Sequence, residues 1–143
     1  MREPRPRADG KLWENRGVPD QQDERVAEAL RQLYNDALEI YERARAEVMI
    51  ERSDGTWQHY APVRYKQEID RGHADGTLVP TIARILRRPT SGFNHLEAAG
   101  RPDLMLETLV LDETKPYHHL FSTPTVDLAR TRMAGYAKRQ LSS

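Results

Sequence analysis

Arg84, Arg87, Arg88, Ser91, Asn94, His95 and Arg101 bring the side chains of polyanion recognition into one short stretch. Guanidinium groups neutralise phosphate and fork onto its oxygens. Asn offers the donor and acceptor pair that matches an adenine edge, while Ser and His serve either groove edge. Two elements are needed to position them. The apolar spacing from Thr81 to Gly100 fits two short helices joined by a tight turn, with Ile82, Ala83 and Leu86 buried on the first and Phe93, Leu96 and Ala99 on the second. Ser91, Asn94 and His95 are then left facing outward. The first helix, over 80–88, is stopped by Pro89, because the residue before proline avoids the helical region. Thr90 or Ser91 caps the second, and Gly100 ends it.

This stretch resembles the helix-turn-helix family of DNA-binding modules, on Ile82-Ala83, Leu86, Ser91 and Leu96. The resemblance implies duplex DNA as partner, with the second helix in the major groove. The chain departs from the family at the turn, where Arg88 and Pro89 stand in place of the usual glycine. It also carries Glu97, and no Lys or Arg, on the second helix. Two small core helices joined by a few residues would show the same spacing.

A second constellation has the residue types of metal-dependent hydrolysis. Pro102-Asp103 followed by Glu113-Thr114-Lys115 spells the signature of a nuclease family in which the acids hold Mg²⁺ and the lysine positions water. Asp103 and Glu113 would have to share one ion. Ten residues span ~33 Å as strand or ~15 Å as helix, and 104–111 contains no turn-forming residue to bring them together. The spacing is therefore read as coincidence. His118 and His119 are adjacent and diverge, and His59, His73 and His95 lack ligand spacing. No glycine-rich phosphate loop or nucleophile elbow is present, so neither catalysis nor a metal or other cofactor is expected.

Composition narrows the class further. The 143 residues carry 22 basic and 22 acidic side chains, so anion binding must come from a local patch. Charged residues make up 31% and mean hydropathy is -0.80, which implies a small core. With no cysteine, no run near the ~20 apolar residues of a membrane span, and no apolar signal-like start, a soluble cytoplasmic protein without a membrane partner is expected.

The chain reads as mainly α: a small helical bundle with a long N-terminal helix and one short β-hairpin around residues 48–60. Its domains are a flexible arm over 1–22, rich in Pro and Gly but holding Trp13, and a single helical domain over 23–143. From Asp23 to Glu47, Val26, Leu30, Leu33, Ala37, Ile40 and Ala44 form a heptad seam flanked by Ala27, Tyr34, Leu38 and Tyr41. A face that wide needs cover, either from Val126, Ala129, Met133 and Tyr136 of the last helix or from a second copy. The second case makes Leu30, Leu33, Ala37 and Ile40 a homo-oligomer interface; it suits a homodimer on DNA, whose two modules meet successive grooves, and the alternative to DNA binding is a non-enzymatic interaction or scaffold module that self-associates through the helix over 23–47. Asp54-Gly55 between β-prone runs favours a hairpin over continuation of the helix to Arg52. Pro62 opens a helix that Gly72 ends, Asp103 caps a further helix, and 109–111 fits helix or buried strand.

Overall fold

The computed structural model describes residues 21–88, 91–117 and 119–142. Nearly all of the expected arm, the stop at Pro89, the cap at Thr90 and His118 lie outside the described residues. The molecule is mainly helical, with a long N-terminal helix and a two-stranded antiparallel hairpin. No helix among the described residues is long and apolar enough to cross a membrane.

Helix α1 spans Gln21–Glu47, about 40 Å at 1.5 Å per residue, with Asp23 and Glu24 in the first turn, where they favour the positive end of the helix dipole. The chain divides between Gln32 and Leu33 into two compact units. In the first, the described residues are the opening turns of α1, where Arg31 pairs with Glu28 and Val26 stays exposed. The second holds everything else.

After Ala44 closes a last bond to the Val48 amide, the chain leaves the helix and β1 (Met49–Glu51) pairs with β2 (Trp57–His59) in the register Glu51 opposite Trp57. The Asp54 carboxylate fixes the turn by accepting from the Thr56 amide at 3.0 Å and its hydroxyl at 2.6 Å. Helix α2 (Val63–Asp75) does not stop at Gly72. It continues one turn and ends at Gly76, whose φ of 73° supplies the left-handed cap. Gly72 instead permits close approach: a Cβ there would lie 2.8 Å from Thr81 Oγ1 and 3.3 Å from Leu78 Cα of the next helix. That helix, α3 (Leu78–Arg87), starts earlier than expected and takes Pro80 into its first turn, where a missing amide hydrogen is harmless.

Helix α4 (Ser91–Ala98) leads through a 3₁₀ turn (Pro102–Leu104) to α5 (Leu106–Leu111) and α6 (Thr123–Ser142). Residues 109–111 are thus helical. The cap of α5 is Met105, not Asp103, because the intervening 3₁₀ turn shifts the start of the helix.

Two apolar clusters result. The larger joins Leu33 and Ala37 of α1 to Ile69, Ile82, Leu86, Val110, Tyr117 and Ala129 from five later segments. The smaller comprises Ala44, Val48, Leu96, Leu104 and Met105, with Met133 and Tyr136 of α6 packed on it. The loop after α5 is tied back to α1 by Asp36, which accepts from the Tyr117 hydroxyl at 2.6 Å and pairs with Lys115 at 3.2 Å. Burial, with Asp36 alongside, pushes the Tyr117 phenol above its ordinary pKa.

Candidate functional site

The two helices expected to pack face to face do not share a core. Ile82, Ile85 and Leu86 of α3 belong to the larger cluster and Leu96 of α4 to the smaller. The space between is a cavity of about 560 Å³. Ile85, Leu86, Phe93, Leu96, Met105 and Tyr60 are among its apolar walls. Arg64, Glu68, Arg88, Glu107 and Arg132 are its charged lining. Gly92 is where α4 meets Tyr60: a Cβ would lie 2.7 Å from the phenolic oxygen. Burial raises the pKa of that phenol, which keeps it a neutral hydrogen-bonding group.

The charged lining is paired. Arg88 forks onto Glu68 with bonds of 2.8 and 3.1 Å, and Arg84 and Arg64 approach the same carboxylate at 3.5 and 3.9 Å. Burial pushes the Glu68 carboxyl up, but Arg88, Arg84 and Arg64 more than offset this and hold it below its ordinary value. Glu107 lies within the apolar run 104–111 and its side chain is 6% exposed. It accepts from Arg132 at 3.1 Å, and the other arm of that guanidinium donates to the Arg88 carbonyl at 3.4 Å. A buried carboxylate without such a partner would be strongly disfavoured.

The residues expected to meet DNA are dispersed in role. Arg84 and Arg88 are held by Glu68, and Arg101 by Glu47 at 2.6 Å and Asp103 at 2.9 Å. Glu47 and Asp103 are both lowered in pKa, principally by hydrogen bonds from Arg101. Arg87 is exposed and in no ion pair among the described residues. Asn94 is exposed, whereas His95 is half-buried with its ring 5.3 Å from that of Tyr60 and lines the cavity. Ser91 opens α4, and its side chain is outside the described residues. Glu97 is neutralised by Arg139, which lowers its pKa.

Of the residues expected to face a second copy, Leu33 and Ala37 are 0% exposed and enclosed by the chain's own core. A side chain sealed within one chain has no surface to offer another. Ile40 is half-buried, packed on the same core and lining the cavity; Leu30, in the first unit, is half-buried. For the nuclease-like spacing, Asp103 is committed to Arg101 and Arg43 and Lys115 to Asp36. No cluster of three or more metal-ligating side chains occurs among the described residues.

Sequence reasoning passed over Tyr60, Arg64, Glu68, Glu107 and Arg132. One signal was available: Glu107 sits inside the apolar run LMLETLVL, and a charge so placed must find a counter-charge. Compared with family models, curated proteins and solved structures, the chain matches none.

Proposed function

We propose that the unit from Leu33 to Ser143 is a binding module that holds a small, largely apolar molecule between α3 and α4. The observation that carries this reading is the 560 Å³ cavity itself, which lies between helices committed to separate clusters. Its volume falls in the range of small-molecule sites, and its mix of apolar walls with a few converging polar groups is the usual composition of such sites. The test is titration with the neutral apolar fluorophore Nile red. Saturable binding at one site is expected, weakened by Ile85→Trp, which fills the cavity, with thermal melting used to verify that the variant is folded. Absence of saturable binding to the wild type would overturn the reading.

A second reading, duplex DNA bound along α3 and α4, draws support from Arg87 and Asn94, which are both exposed. The neighbouring arginines must exchange a carboxylate for each phosphate, so fewer counterions are released and affinity falls less steeply with salt than for a fully basic face. A mobility-shift series across salt, with Arg87→Ala beside wild type, tests it. A complex that forms at low salt and is lost in Arg87→Ala supports it; no shift at any salt removes it.

A further inference from the structure

Resting on the reading of the cavity as a binding site, we infer that its ligand is an amphiphile: an apolar chain carrying a single anionic head, such as a carboxylate, held at the mouth by Arg64. The charges of the lining do not cancel. Arg64 and Arg88 both approach the one carboxylate of Glu68, which Arg84 also reaches from outside the lining, and Arg132 answers Glu107, so three guanidinium groups of the lining face two carboxylates. Arg88 alone satisfies Glu68, with two bonds of ordinary length. Arg64 is therefore superfluous to the ion pair: it stands 3.9 Å away, its side chain is 82% exposed, and it lines the cavity. A guanidinium on a flexible stem at an apolar opening can turn its fork to a carboxylate without stripping an existing bond. Deeper in, Glu107 and Arg132 neutralise each other, so nothing there draws a charged head inward. The apolar walls from Ile85, Leu86, Phe93, Leu96 and Met105 take the chain.

The experiment is displacement of Nile red from the full chain at pH 8 by dodecanoate, dodecanol and dodecyltrimethylammonium, each kept below its aggregation threshold. Dodecanoate is expected to compete about tenfold better than dodecanol, the equivalent of ~1.4 kcal/mol for one charge-assisted contact, and the cation worst. Arg64→Gln should erase most of that preference, read as the ratio of dodecanoate to dodecanol displacement within the variant, with thermal melting used to verify that it is folded. Raising the salt should narrow it in the wild type. If the alcohol or the cation competes as well as the carboxylate, or if Arg64→Gln leaves the preference intact, the inference on the head group is overturned and the cavity reading stands. If Nile red itself does not bind, both fall.

Discussion

The larger cluster and the smaller one reach burial by different routes. In the larger, α2 and α3 approach so closely that only a glycine fits opposite Thr81, and Leu33, Ala37, Ile69, Ile82, Val110 and Ala129 are wholly enclosed. In the smaller, α4 lies over Leu104 and Met105, but its other flank borders open space, and Leu96 and Met105 both line the cavity. Helices adjacent in sequence thus need not form a packing unit. Here α3 pairs backward with α2 and α4 turns forward to the 3₁₀ turn, leaving a cavity where a conventional pair would have its interface.

Truncation tests this contrast most strongly. Ile82→Ala should cost about 2–5 kcal/mol in denaturant unfolding, because a sealed site cannot collapse around the lost atoms. Leu96→Ala should fall at or below the low end of that range, since the removed volume joins space that is already open; an equal or larger cost would break the contrast. Glycines sharpen it next. Gly72→Ala is expected to destabilise by about 1–3 kcal/mol, because Thr81 and the Leu78 backbone cannot retreat. Gly92→Ala should be near neutral in thermal melting: the obstacle is the far end of Tyr60, which has the cavity to move into, and alanine gains up to about 1 kcal/mol of helix propensity.

Electrostatic effects are smaller. Since the folded chain lowers the Glu68 pKa, its stabilisation is complete above the unfolded value of about 4.3 and is lost as pH falls through the folded value. Glu68→Gln should therefore cost about 1–2 kcal/mol at neutral pH, with the difference from wild type closing as acidification carries the carboxylate through its lowered folded value. Arg139→Ala, which removes a surface pair with Glu97, should lower the melting temperature least of these variants and become invisible in high salt.

Features governed by local pattern were legible in the sequence. The heptad spacing marks α1, Asp54-Gly55 marks the hairpin, and Val126, Ala129, Met133 and Tyr136 share the inward face of α6. Features set by distant partners were not. Gly72 resembles a helix stop because the Thr81 side chain that requires a glycine belongs to the next helix. The arginines of α3 resemble a phosphate-binding row because Glu68, which engages two of them, is on α2. Apart from Glu107 within its apolar run, the cavity has no signature along the chain, since its lining is drawn from nearly every element of the second unit.

The bond from Tyr117 to Asp36 links positions 81 residues apart. In kinetic terms it closes a long loop, whose entropic cost rises by about 0.6 kcal/mol with each doubling of length, whereas α2 and α3 meet across a turn of two residues. The α2–α3 hairpin can therefore assemble early and the Asp36 tie late, as the last clasp on a largely formed unit. Tyr117→Phe is then expected to speed unfolding in stopped-flow measurements while leaving the folding rate nearly unchanged.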